Sequence, residues 1–295
     1  MALTINTNMS SLIVQKNLNA ATSMLNKSIE RMTTGYKINH AADNAAGYSI
    51  ATTWKTQLGS LDVASDNAST GADMLTTLED TYSLITSHLQ RVRDLTEQAA
   101  NGTYGSDSLK AIASEITARL EEIDRISANC EFNGLKMMDG SLTDDINLQV
   151  GLYSDAASRI ALDASLFQNG HVSALFKTFG GVGGATVAEV AKLCSGYDGK
   201  QITGGQNEML NKIDAVISEI SARTTTLGAA QNRIESAVES INVQSENITS
   251  SLSTLRDADV AEESSNYIKA QILQQASATL LATANQSPSI ALNLV

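Results

Sequence analysis

The 295-residue chain contains a single proline, Pro288. Proline breaks helix interiors by removing a donor and clashing with the preceding turn. Nothing from Met1 to Ser287 is therefore barred from helix on that ground. Aromatics are scarce as well, at 4%, and Trp54 is the only tryptophan. Cores of this length usually draw bulk from aromatic rings; this chain has to bury small aliphatic surface, as thin layers between helices do. Two cysteines, Cys130 and Cys194, form neither a disulfide framework nor a metal spacing. They read as small buried or partly exposed thiols. Lys and Arg number 20 against 32 Asp and Glu, a net charge of -12, and no basic stripe is present. That excludes nucleic-acid binding, which needs clustered cations to displace counterions. It suits a soluble, mutually repelling subunit.

No run of residues approaches a membrane span. The start, Met1 to Leu12, has no basic region followed by an apolar run, so it does not read as a cleaved secretory signal. If the protein leaves the cell, it uses a route that does not cleave such a signal. Catalytic and cofactor motifs are missing too. None of the three histidines, His40, His88 and His171, sits in a His-Glu-x-x-His pair. There is no phosphate-cradling Gly-x-x-x-x-Gly-Lys run and no Gly-x-Ser-x-Gly elbow. Gly180-Gly-Val-Gly-Gly lacks the flanking strand and helix of a dinucleotide fingerprint. His88 lies one position from an apolar stripe, where a surface histidine is the ordinary reading. Glu121 and Glu122 read as a solvated helix surface. The reading is that the chain is not an enzyme and carries no cofactor or metal.

What is present is periodicity. Stepping by threes and fours from Leu58 visits Leu61, Ser65, Ala68, Ala72, Leu75, Leu78, Tyr82, Ile85, Leu89, Val92, Thr96 and Ala99. One step, Leu75 to Leu78, is a three where a four was due; strict alternation lands on Glu79. Such a slip overwinds a coiled coil locally without ending it. A second run visits Ile213, Ile217, Ile220, Thr224, Leu227, Gln231, Ile234, Val238, Ile241, Ser245, Ile248, Leu252 and Leu255. The two rods are of similar length, about six heptads each, and are natural antiparallel or bundled partners. A shorter helix carries Leu109, Ile112, Ile116, Arg119, Ile123 and Ile126 after a glycine-rich turn, with Asp107 or Ser108 as its cap.

The two ends share a character. Leu18, Ala21, Leu25, Ser28 and Met32 mark a stripe near the start, with Ile29 beside it. Ile268, Ile272, Ala276 and Leu280 recur near the end, with Leu273 and Leu281 alongside. Their polar faces carry Asn, Gln, Ser and Thr more than charge. Such helices stand poorly alone and suit burial against copies of themselves, or against each other. From about 140 to 205 the helical period fails. Asp145 to Tyr153 alternates like a strand, Arg159 to Ala164 is a second candidate, and glycines at 180–184 and 196–205 mark turns around another short element. The fold class is mainly α: a long coiled-coil bundle formed by N- and C-terminal segments, with a small β-containing insertion in the middle.

Ordered stretches at both ends resemble bacterial flagellins. They are Ile5-Asn-Thr-Asn-Met-Ser-Ser-Leu, the stretch from Leu25 to Gly47, Leu89-Gln-Arg-Val-Arg-Asp-Leu, Gln98-Ala-Ala-Asn-Gly-Thr and Glu131-Phe-Asn-Gly-Leu-Lys, then Leu227-Gly-Ala-Ala-Gln-Asn-Arg, Asp257-Ala-Asp and Ala270-Gln-Ile-Leu-Gln-Gln-Ala. The resemblance covers roughly residues 1–155 and 205–295. It implies a structural subunit that self-assembles into the extracellular flagellar filament used for swimming. It further implies unfolded type III export, an export chaperone on the C-terminal helix, and contact with flagellar cap and hook-associated proteins. In these terms residues 1–45 and 256–295 are inner-core helices, 46–140 and 206–255 coiled-coil rods, and 141–205 a small solvent-facing β and loop region. The polymerisation helices carry Leu18, Leu25, Met32, Ile268, Ile272 and Leu280. Leu89, Gln90, Arg91, Leu95 and Glu115 match family positions that contact the flagellin-sensing Toll-like receptor, and are expected to touch neighbouring subunits too. Arg91 and Arg93 also read as solvated rod positions. Two departures stand out: Cys130, since flagellins mostly lack cysteine, and Asn44 after Asp43, where the family often has two acids. Alternatives are a hook–filament junction protein, or a non-flagellar soluble coiled-coil binding protein.

Overall fold

The computed structural model describes residues 8–180, 186–196 and 206–292. Helices dominate, and the chain divides into two compact units, residues 1–59 with 245–295, and residues 60–244. The expected turn at Gly181 to Gly184 and the glycines at 199, 204 and 205 lie outside the described residues.

In the first unit, α1 (Met9–Thr34) packs antiparallel on α7 (Val260–Leu292). Asn8 caps α1, its side chain accepting from Ser11 N–H, while its Nδ2 donates to Ala284 O at 2.7 Å. At the other end Gly35 closes α1 in the left-handed region, φ 74°, and donates to Arg31 O at 2.8 Å. A glycine fits there because a Cβ would be strained. The seam is made of small residues: Ala21 and Ser28 from α1, Ala270 and Ser277 from α7, all buried. The connectors that follow α1 and precede α7 pair through a Tyr36–Asp257 bridge. Lys37 N–H donates to Arg256 O, Ala258 N–H to Gly35 O, and Arg256 stacks 4.1 Å over the Tyr36 ring.

Within the second unit, residues 60–100 of α2 (Ala45–Ala100) and 206–244 of α6 (Gln206–Arg256) run antiparallel, as the pairs Arg93–Asp214 and Glu79–Gln231 require. Leu61, Ala68, Leu75, Leu78, Tyr82, Ile85, Leu89, Val92, Thr96 and Ala99 are buried, so the slipped register is the packed one. Glu79, where strict alternation would have led, instead accepts from Gln231 Nε2 at 2.9 Å. The polar interruption of the second stripe at Gln231 thus meets the carboxylate beside the slip in the first. Buried Thr96 satisfies its hydroxyl on Val92 O. Helix α3 (Ser106–Asn129) buries Leu109, Ile112, Ile116, Leu120 and Ile123. Its N-cap is Gly105, without a side-chain bond, so the expected cap is corrected: Asp107 lies in the first turn, where its charge favours the helix dipole. His88 is also corrected: it is half-buried and its Nδ1 is enclosed without a partner.

The middle region holds both expected strands. Strand β3 (Ile146–Gln149) pairs antiparallel with β4 (Arg159–Leu162), with Leu148 opposite Ile160. They lie on α2, where Gly71 leaves room for Leu148 and Asn67 donates to Gln149 O. Glu131–Phe132 (β1) and Leu135–Lys136 (β2) form a hairpin turned by Asn133 and Gly134, both at positive φ. The helical period does not fail throughout, however. Helices α4 (Val172–Gly180) and α5 (Val187–Ser195) pack on α3. Thr186 and Glu189 form a capping box on α5, and Asp124 of α3 accepts from Val172 N–H at the start of α4.

Candidate assembly surfaces

A helix pair closed by alanine and serine puts its large apolar residues elsewhere. On α7 the inward positions are Glu263, Tyr267, Ala270, Gln274, Ser277, Leu281 and Ala284, spaced by fours and threes. Ile268, Ile272, Leu273 and Leu280 fall between them and are 42–59% exposed. The predicted α7 stripe is therefore the outer face of the pair. On α1 the predicted stripe divides. Leu18 and Leu25 are half-buried along the inward positions with Ala21 and Ser28, whereas Met32 is exposed. Met9, Leu12, Ile13, Met24 and Ile29 are exposed as well.

Polar contacts set the register. Ser11 Oγ donates to Asn285 Oδ1 at 2.7 Å, Gln274 Nε2 to Thr22 Oγ1 at 3.2 Å, and Arg31 pairs with buried Glu263 at 3.5 Å. Lys27 reaches Asp43 at 2.7 Å. That contact, with N–H donors from His40 and Asn39, holds the Asp43 carboxyl down at about 2. Neighbouring Asn44 accepts from Gly47 N–H at 2.9 Å and so caps α2. The departure from a second acid costs nothing here, because asparagine and aspartate cap comparably.

The second candidate surface lies on α2 and α3. Gln90, Arg91 and Glu115 are surface residues, and Arg91 Nε donates to Glu115 Oε1 at 3.0 Å. Arg119 approaches the same oxygen at 3.8 Å. Arg93, by contrast, turns to α6 and meets Asp214 at 2.6 Å. The two arginines flanking Val92 thus hold a helix on either side. Leu89 and Leu95 are 0% and 2% exposed. They support this surface from beneath and offer nothing to a partner of the folded chain.

Both cysteines are free and buried. Burial pushes the Cys194 thiol up to about 12 and raises that of Cys130. Among the described residues no cluster of His, Cys, Asp and Glu could hold a metal ion, and no helix is long and apolar enough to cross a membrane.

Comparison with known proteins gives a consistent picture. Residues 5–143 match the bacterial flagellin N-terminal helical region, and residues 210–295 the bacterial flagellin C-terminal helical region. The chain is 33% identical to a flagellin of Bacillus subtilis over 309 residues, covering 99% of each chain. It is 30% identical to flagellin B of Vibrio cholerae over 376 residues, covering 100% of each. A putative flagellar hook-associated protein from Vibrio parahaemolyticus shares the fold: TM-score 0.61, 14% identity, 73% of this chain and 100% of that one.

Proposed function

Because the chain belongs to the bacterial flagellin family, and is a structural subunit of the flagellar filament, we propose that the outer face of the α1–α7 pair is where copies polymerise. The observation that carries this is the placement of Ile268, Ile272 and Leu280 on the outward face of α7, with Leu273 at its edge beside Met24 of α1. Monomers rarely expose contiguous apolar surface of this kind without a partner for it. Leu18 and Leu25 act indirectly, by holding α1 on α7; Met32 acts from the exposed side. The test is seeded polymerisation of Ile272→Asp, followed by sedimentation and electron microscopy. A desolvated, unpaired carboxylate should abolish filaments while leaving the monomer helical. Normal filaments would overturn the reading. Removing about twenty residues from either end should have the same effect as the substitution.

The same exposed face on α7 suits an export chaperone before assembly, since apolar helix faces are what such holders cover. Delivery by type III export to an extracellular filament, and docking to cap and hook-associated proteins, complete the proposed route. Gln90, Arg91 and Glu115 form a second contact surface, for neighbouring subunits in the filament and for the host Toll-like receptor when monomers are free. Arg91→Ala should weaken both receptor signalling and assembly; if both are unchanged, this surface has neither role.

A further inference from the structure

We propose that Met9, Met24 and Met32 form an oxidation site that switches the subunit between assembly-competent and assembly-incompetent states. The proposal rests on the reading of the α1–α7 outer surface as the polymerisation face. The sulfur atoms of this chain are segregated. Met9, Met24 and Met32, all on α1, are 60%, 59% and 40% exposed. Met74, Met137, Met138 and Met209 lie in the other unit and are at most 4% exposed. Both cysteines are buried, and burial disfavours the thiolate that oxidants attack. The sulfur that oxidants can reach among the described residues is therefore on the first helix.

The chemistry is a two-electron transfer to a peroxide-class oxidant. The thioether sulfur attacks one peroxide oxygen and the O–O bond breaks. A proton moves to the departing oxygen, giving methionine sulfoxide and water from hydrogen peroxide. An apolar, flexible side chain becomes polar and chiral, and the change is reversible by methionine sulfoxide reductases. The free subunit tolerates it, because the new oxygen is solvated there. Burial against another copy strips that solvation from three sites at once. The filament, once formed, shields the same sulfurs from oxidant.

The experiment treats purified full-length monomer with hydrogen peroxide, maps sulfoxides by peptide mass spectrometry, and measures seeded assembly by sedimentation. We expect Met9, Met24 and Met32 to oxidise before the four buried methionines, and the sedimentable fraction to fall at least tenfold. Reductase treatment should restore it, and preformed filaments should resist modification. The loss should scale with the number of these three positions oxidised in partially treated monomer, and mock-treated monomer should assemble fully. Normal assembly of monomer oxidised at all three sites overturns the proposal, as does a loss of assembly that does not follow their oxidation. If Ile272→Asp polymerises normally, the reading of the face fails and the switch falls with it. If Ile272→Asp blocks assembly and triple oxidation does not, only the switch fails.

Discussion

Tyr82→Phe removes one oxygen atom from the interior of the second unit, and the consequence can be worked from the surroundings. Tyr82 is 0% exposed, and its hydroxyl donates to Leu166 O at 2.9 Å. Leu166 is itself buried, so that carbonyl loses its donor with no route to water. Beside it, Arg223 of α6 donates to Gln168 Oε1 at 2.7 Å and to Glu219, with Nη1 enclosed and unpartnered. The tyrosine and the arginine together fasten the segment after β4 to α2 and α6. Leaving a buried acceptor unsatisfied costs about 1–3 kcal/mol. For a unit of this size that lowers Tm by roughly 2–4 °C per kcal/mol. The assay is urea unfolding followed by circular dichroism, with exposed Tyr153→Phe as the neutral control. Burial also raises the Tyr82 phenol above its ordinary 10.0, against the opposing charge of Arg223. A folded-state pKa raised in this way gives stability that is whole below pH 10 and lost as pH climbs towards the higher folded value. The wild type should therefore lose more stability than Tyr82→Phe above pH 10. Equal stability of the two proteins at neutral pH, within ~0.3 kcal/mol, would refute the argument that this bond fastens the segment.

Three further outcomes follow from other sites. Cys194, raised by burial from 9.0 to about 12, contributes stability that is whole below pH 9 and lost as pH rises through 12. Cys194→Ala should remove ~4 kcal/mol from that alkaline dependence, measured as the difference between the two proteins' pH profiles. Asp43, lowered to about 2 chiefly by Lys27, contributes stability that is whole above pH 3.8 and lost as pH falls through 2. Lys27→Met should flatten that acid limb in a thermal scan of the monomer. Asn44→Ala should cost about 1 kcal/mol by uncapping α2, whereas Asn44→Asp should be near neutral, as read by chemical denaturation.

The rods were legible in the sequence because their periodicity is what their packing uses. Leu75, Leu78 and Tyr82 are buried in the slipped register, and Gln231 is polar because Glu79 faces it. The short helices were harder to read. Nine residues cannot establish a period, and glycines flank both α4 and α5. Thr186-Val-Ala-Glu189 was nevertheless a readable capping box. Neither the burial of Leu89 and Leu95 nor the clamps from Arg91 to α3 and Arg93 to α6 follow from family positions. They need the spatial arrangement of three helices. On α7 the hydrophobic pattern legible in the sequence falls on exposed residues and does not describe the contact within the monomer. That contact runs through Ala270 and Ser277.

That mismatch bears on how the subunit works. A seam of alanine and serine removes little apolar area from water, and hydrophobic stabilisation scales with that area at roughly 25 cal/mol per Å². Ile268, Ile272, Leu273 and Leu280 contribute little while they face solvent. The α1–α7 pair is thus held in register by polar contacts such as Asn8 to Ala284 O and Gln274 to Thr22, with much of its hydrophobic stabilisation deferred. On the proposed polymerisation face, burial of those side chains against another copy would supply it, and ordering of the pair and polymerisation would then reinforce each other. Enlarging the seam, for example by Ala270→Leu, should therefore not strengthen assembly. It would push α1 away from α7 and disturb the register on which the outer face depends.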